Sequence, residues 1–246
     1  MSTLADNLSA ISARIASAAQ AAGRDPASVQ LLAVSKTKPA SAIREIHAAG
    51  VCDFGENYLQ EALTKQQALS DLPLIWHFIG PIQSNKTKAI AEHFDWVHSV
   101  DRLKIAQRLS EQRPDHLPPL NLCLQVNVSG EDSKSGCTPE ELPTLAQAIA
   151  ALPKLRLRGL MAIPEPTEDR AAQDAAFARV RELQDSLGLD LDTLSMGMSH
   201  DLESAIAQGA TWVRIGTALF GARDEAMLTH LQACVAQVLR ESPAAG

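Results

Sequence analysis

The chain has 246 residues, 46% of them hydrophobic, 21% charged and only 4% aromatic, with a formal net charge of −7. That length fits two average domains or one large α/β barrel, with a core built mainly from aliphatic side chains. An acidic chain with scattered charges and no basic runs argues against nucleic-acid or anionic-membrane binding, so any bound anion must be gripped by a local site.

The N-terminus, Met1 to Asn7, lacks the basic segment and apolar run of a signal peptide. No apolar run approaches the roughly 18 residues of a membrane span. Cys52, Cys123, Cys137 and Cys234 have neither C-x-x-C spacing nor a histidine at zinc-ligand distance. Free thiols in a reducing cytosol are the simplest reading, which predicts a cytoplasmic protein.

In chain order, Leu4, Leu8, Ile11 and Ile15 recur at helical spacing, and Gly23 and Pro26 close that helix. Strands are predicted at 31–36, 51–54, 74–79, 95–99, 120–128, 155–161, 192–196 and 211–215. Helices are predicted near 40–49, 57–69, 84–93, 102–112, 139–151, 168–187, 200–208 and 225–240. Alternating βα units imply a parallel sheet, and eight of them in about 220 residues suit a closed (β/α)8 TIM barrel. The expected fold is therefore α/β. A single barrel domain covers 1–246, with an extra N-terminal helix in 1–23 and the barrel in 31–240. A doubly wound open sheet is the alternative. It would usually carry a glycine-rich turn after the first strand, where this chain has Ser35-Lys36-Thr37-Lys38-Pro39.

Lys36 stands at the end of an apolar strand. A buried lysine loses part of its charge stabilisation and becomes available for Schiff-base chemistry; alternatively its ammonium snorkels into solvent. In a (β/α)8 barrel the chemistry gathers at the carboxyl ends of the strands. Polar residues and glycines collect there in Asp53 to Tyr58, Gly80 to Lys86, Asn127 to Gly136, Ser195 to Ser199 and Arg214 to Ala218. Phosphate sites in this fold often use the loops after strands seven and eight. Ser199 is read as opening a helix, where its hydroxyl and the following amides would hold an anion, and Gly216-Thr217 offers a second backbone approach and a hydroxyl. Ser199 as a plain cap and Gly216 as a plain turn is the competing view. Arg214 alternates with Val213 and Ile215, so it lies on the opposite strand face and needs a partner if that face is the barrel interior. His77 and His98 fall in strands and read as satisfied core histidines.

An amine, a phosphate cradle and an interior arginine together describe a pocket for pyridoxal 5′-phosphate. Lys36 would form the internal aldimine, with Ser199, Gly216 and Thr217 on the phosphate and Arg214 facing the pyridine nitrogen. Enzymes that use this ring as an electron sink usually give its nitrogen an acidic partner. An arginine weakens the sink and predicts mild proton transfer or none.

The blocks Ala33 to Pro39, Phe54 to Tyr58, Trp76 to Gly80, Ser133 to Gly136, Leu157 to Pro164, Ser195 to Ser199 and Arg214 to Thr217 resemble the pyridoxal phosphate homeostasis family, the YggS-type proteins. That family is similar to the N-terminal barrel of alanine racemase. The resemblance runs from about residue 30 to residue 223. It implies a single barrel that binds pyridoxal phosphate through Lys36, with Asn57 beside the ring. It also implies a role in buffering and delivering the cofactor without robust catalysis, with apo-enzymes as recipients; the absence of a long apolar surface stripe in the sequence predicts a monomer. Lys38 and Lys134 are candidate secondary amines for transfer, and His200 receives no catalytic role.

Two enzymes compete with the carrier. An alanine-type racemase needs a proton donor on each face of the substrate, and this chain has one tyrosine, Tyr58. A cofactor-free Schiff-base aldolase would be expected to carry its lysine on a later strand.

Overall fold

The computed structural model describes residues 2–130 and 135–222. Eight parallel strands form a closed barrel in sequential order: β1 (Gln30–Val34), β2 (Asp53–Glu56), β3 (Ile75–Phe78), β4 (Trp96–Val100), β5 (Leu120–Gln125), β6 (Leu155–Met161), β7 (Thr193–Ser195) and β8 (Trp212–Ile215). β8 returns to pair with β1, Leu32 opposite Arg214. The helices are α1 (Leu4–Ala21), α2 (Ala40–Ala48), α3 (Leu59–Ala68), α4 (Thr87–His93), α5 (Leu103–Gln112), α6 (Leu142–Ala150), α7 (Arg170–Asp185), α8 (Leu202–Ala207) and the single turn α9 (Thr217–Phe220). The barrel predicted from the alternation is the observed one. No helix among the described residues is long and apolar enough to cross a membrane. The predicted helix 225–240, Lys134 and Cys234 lie outside the described residues; Cys52, Cys123 and Cys137 are free thiols.

α1 starts with a reciprocal capping box between Thr3 and Asp6 and buries Leu8, Ile11, Ile15, Ala18 and Ala19. It packs on α8, α9 and α2, across the seam where β8 meets β1. The main core lies between barrel and helices, with Phe54, Ile43, Ile90, Leu122, Phe177 and Val213 among its buried members. Each such side chain contributes about 1.5–3 kcal/mol on burial.

The barrel interior differs from this aliphatic layer. Trp96, Cys123 and Met161 form a separate cluster. His77, Trp96, His98 and Trp212 meet as rings 4.9 to 5.9 Å apart. Val97 and Val100 both belong to the outer core, three positions apart, and the β4–β5 register shifts between them. That irregularity resets which face each side chain takes along β4.

Two sequence expectations need correction. Strand β1 stops at Val34, so Lys36 sits in the following turn and is half-buried rather than inside the core. Thr37 takes a left-handed φ of 65°, and a strand cannot continue through that geometry. Helix α8 begins at Leu202 with Asp201 at its cap position, so Ser199 does not open it. The Asp201 carboxylate accepts the Met198 amide at 2.7 Å, which folds Ser199 back into a turn.

Candidate functional site

The turn that carries Lys36 is held from both sides. The Lys38 amide donates to the Ser35 carbonyl at 3.0 Å, and the Ser35 amide to Gly55 at 3.0 Å. Ser35 Oγ donates to Glu56 Oε1 at 3.0 Å, and the Thr37 amide donates to Glu61 Oε1 at 2.6 Å. Lys65, on α3, completes the clamp. Its Nζ lies 2.7 Å from Glu56 Oε1, 2.9 Å from Glu61 Oε1 and 2.7 Å from the Ser35 carbonyl. One buried cation thus binds two carboxylates and the turn backbone. Burial pushes the Glu56 carboxyl up to about 7, while Lys65 pulls it back. A left-handed β-branched residue costs on the order of 1–3 kcal/mol, and such a conformation persists only where its surroundings fix it. The clamp is that surrounding.

Sequence reading passed over Lys65, Glu56 and Glu61 as binding partners. The available signal was the i,i+4 spacing of Glu61 and Lys65, which on most helices marks only a solvated pair.

Beside this turn is a cavity of about 210 Å³. Lys36, Asn57, Ser199, Arg214, Gly216 and Thr217, named from sequence, all line it, with Val34, Ile79 and Ile163 among its apolar walls. Four segments distant in sequence therefore converge on one volume. Asn57 follows β2, and its Oδ1 is buried with no hydrogen-bond partner, as is Thr37 Oγ1 on the neighbouring turn. Buried polar atoms without partners are uncommon and invite a ligand. Gly80 fixes Asn57 from behind: a Cβ there would fall 2.4 Å from the Asn57 carbonyl oxygen, so only glycine lets the β3 loop approach so closely.

The loops after β7 and β8 form the opposite wall. Gly197 has a φ of 101°, and a Cβ on it would lie 2.6 Å from Ala205 Cβ. Glycine thus allows the loop to turn tightly against α8 and present Ser199. The Ser199 carbonyl accepts from Arg14 Nη2 of α1 at 2.8 Å, and Arg14 also pairs with Glu203. The N-terminal helix is therefore tied to the site loop. Gly216 precedes α9 and Thr217 opens it, exposed to solvent. Lys38 Nζ donates to the carbonyls of Gly221 and Ala222 at 3.1 and 2.8 Å, closing the seam from the other side.

Arg214 is buried within the barrel at 5% exposure. Its Nη1 donates to Ser195 Oγ at 2.8 Å and its Nη2 to the Ala162 carbonyl at 3.0 Å. The partner that an interior arginine needs is supplied by neutral groups: among the described residues, a hydroxyl and a carbonyl. Burial lowers its pKa to about 10, with Asp201 opposing, so the guanidinium stays charged at neutral pH. Tyr58 lies outside the cavity, 53% exposed. His200 is also exposed, 3.3 Å from the Asp201 carboxylate.

Lys38 lines the cavity as well, so a donor set of two amines, one guanidinium, hydroxyls and an unpartnered amide oxygen, between aliphatic walls, suits a flat ring bearing an anionic group. The model of the alanine racemase N-terminal domain matches residues 7–224. A pyridoxal phosphate homeostasis protein of Pseudomonas aeruginosa is 78% identical over 224 residues, covering 91% of this chain and 97% of that protein. The structure of PipY of Synechococcus elongatus with PLP bound superposes with a TM-score of 0.78 at 42% identity, covering 89% of this chain and 100% of PipY. An alanine racemase of Corynebacterium glutamicum gives a TM-score of 0.64 at 21% identity, and the match spans 62% of that racemase. That last likeness is one of fold.

Proposed function

This chain belongs to the alanine racemase N-terminal domain family, and on that premise we propose that it binds pyridoxal 5′-phosphate and serves in its intracellular homeostasis. The observation that carries the reading is the convergence of Lys36, Asn57, Ser199, Arg214, Gly216 and Thr217 on one cavity of about 210 Å³. When bound, pyridoxal phosphate supplies an aldehyde that condenses with a primary amine and a ring that withdraws electrons.

Lys36 would supply the amine, on a turn held by the Lys65 clamp; Lys38 also lines the cavity, with its Nζ on the Gly221 and Ala222 carbonyls. Ser199 and Thr217 offer hydroxyls, and Gly216 a bare backbone, to the phosphate. Asn57 would lie beside the ring, its backbone fixed by the close approach of Gly80. Arg214 would present a positive charge to the ring nitrogen and disfavour a proton on it. An unprotonated ring is a weaker electron sink, so the residues favour holding the cofactor over driving chemistry on it. Val34, Ile79 and Ile163 are apolar walls that would shield the ring from water.

The racemase alternative needs a second proton donor opposite Lys36. Tyr58, the one tyrosine of the sequence, is exposed and is not among the residues that line the cavity. That position supports a carrier that buffers the cofactor and hands it to apo-enzymes. We extend the reading to a single barrel domain over 1–246, acting as a monomer in the cytoplasm.

The test is the visible absorbance of the purified protein before and after borohydride, with a peptide map of the reduced adduct. Trapping on Lys36, and its loss in a folded Lys36→Ala variant, is the expected result. A wild-type protein that takes up no added pyridoxal phosphate, or a Lys36→Ala variant that still traps it covalently at the same site, would overturn the reading.

A further inference from the structure

The partners of Arg214 do not end at Ser195. Ser195 Oγ lies 2.7 Å from His98 Nδ1. His98 Nε2 lies 2.8 Å from His77 Nδ1, and His77 Nε2 lies 2.8 Å from Asp53 Oδ1. Arg214, Ser195, His98, His77 and Asp53 thus form an unbroken hydrogen-bonded column down the barrel interior. Its upper end borders the cofactor cavity. Its lower end, Asp53, is the first residue of β2 and lines a separate cavity of about 340 Å³ with Trp96, Arg158, Asp192 and Trp212.

The direction of every bond in the column follows from its ends. A carboxylate only accepts, so His77 Nε2 carries a hydrogen. Both rings are fully buried, and burial lowers the pKa of each, His98 more strongly because His77 and Arg214 add to the effect. Neutral rings carry one hydrogen each. His77 Nδ1 therefore accepts from His98 Nε2, His98 Nδ1 accepts from the Ser195 hydroxyl, and Ser195 Oγ accepts from Arg214. A guanidinium at one end and a carboxylate at the other fix one polarity through three neutral groups.

The surroundings preserve that order. Trp96 stacks on His77 at 5.5 Å with 12° between planes, and Trp212 meets the same ring edge-on at 4.9 Å. These indoles wall the column off from water and offer its ring nitrogens no competing acceptor. Barrel interiors of this class are usually filled by branched aliphatic residues. A buried polar chain is tolerated only when each member is satisfied, and then its bonds polarise one another. None of its atoms is among the buried polar groups left without a partner.

We propose that Asp53, His77, His98 and Ser195 are positioning residues for Arg214: the column orients the guanidinium at the cofactor's ring and carries to it, through the barrel, the influence of a carboxylate at the opposite end. The assignment rests on Arg214 facing the ring nitrogen. The column itself stands on the geometry alone.

The test uses the full-length protein, with Asp53→Asn and Ser195→Ala as variants. In the cofactor-free, 15N-labelled protein, His77 and His98 should both show the Nε2–H tautomer. Asp53→Asn should shift the His98 and Arg214 side-chain nitrogen resonances, although residue 53 touches neither. In protein loaded with pyridoxal phosphate, Ser195→Ala should weaken cofactor binding by about tenfold, the scale of one hydrogen bond to a charged group. Asp53→Asn should weaken it by about threefold, a smaller loss because its effect passes through three intervening groups. Both variants should move the absorption maximum in the same direction. An Nδ1–H tautomer at either histidine would overturn the column. So would Asp53→Asn leaving the Arg214 resonances, the cofactor affinity and the absorption maximum at wild-type values, even if it lowered stability. Should one variant fail to fold, the other and the wild-type tautomers still decide. A wild type that binds no pyridoxal phosphate would refute the cofactor reading instead, and the nitrogen resonances would then judge the column separately.

Discussion

Glu56→Gln tests the clamp beneath Lys36. Glu56 is fully buried, and burial moves its carboxyl from an ordinary 4.5 to about 7. At 1.36 kcal/mol per pH unit, that difference corresponds to about 3 kcal/mol. Below about pH 4.5 the group is protonated in both the folded and unfolded chain, and there is no penalty. Between about pH 4.5 and 7 the unfolded chain releases its proton first, so the folded state binds more protons and stability falls as pH rises. Above about pH 7 the folded protein carries the whole cost of a buried carboxylate. Glutamine cannot titrate, and Lys65 keeps Glu61 at 2.9 Å and the Ser35 carbonyl at 2.7 Å. The stability of Glu56→Gln relative to wild type should therefore rise by about 3 kcal/mol across that window, whatever constant offset the substitution adds. Urea unfolding followed by circular dichroism at half-unit steps from about pH 4 to 8 measures it. Parallel stability curves would refute the reasoning. A relative stability that falls with pH would mean that Lys65 outweighs burial.

Two further substitutions probe the site. Gly80→Ala would place a Cβ 2.4 Å from the Asn57 carbonyl oxygen and 2.8 Å from its Cα. Backbone atoms cannot yield as a side-chain tip can, so the expected loss is about 2–3 kcal/mol in urea unfolding, with weaker pyridoxal phosphate uptake as Asn57 is displaced. Tyr58→Phe removes only an exposed hydroxyl, so stability should stay within about 0.5 kcal/mol and cofactor uptake should be unchanged. Conversion of L-alanine to D-alanine at ordinary enzyme rates, abolished by Tyr58→Phe, would restore the racemase alternative.

The fold was legible because it is written in local periodicities. Alternating short apolar runs and amphipathic segments identify βα units, and eight of them close a barrel with little freedom left. The strand-end rule then drew attention to Lys36, Ser199, Arg214, Gly216 and Thr217, and the family blocks to Asn57. The structure sets all six around one cavity. Two-residue alternation put Arg214 on the face opposite Val213 and Ile215, and the structure shows that face to be the barrel interior.

The sequence could not show what each of these residues touches. The apolar run predicts Lys36 as the last residue of its strand, yet β1 stops at Val34 and the chain turns at Thr37, whose left-handed φ is held by Glu61 of α3, 24 residues away. Ser199 was expected to open a helix, but Asp201 competes for that position and takes it. Lys65 looks in sequence like any helix-surface lysine, and only the packing of α3 over β2 buries it between two carboxylates. His77 and His98 were rightly placed in strands. That their four ring nitrogens join Asp53 to Ser195 depends on the cross-barrel approach of β2, β3, β4 and β7. Periodicity fixes which face a side chain takes. Which distant group meets it there is settled by barrel closure, since that brings together residues up to 97 positions apart within 2.7 Å.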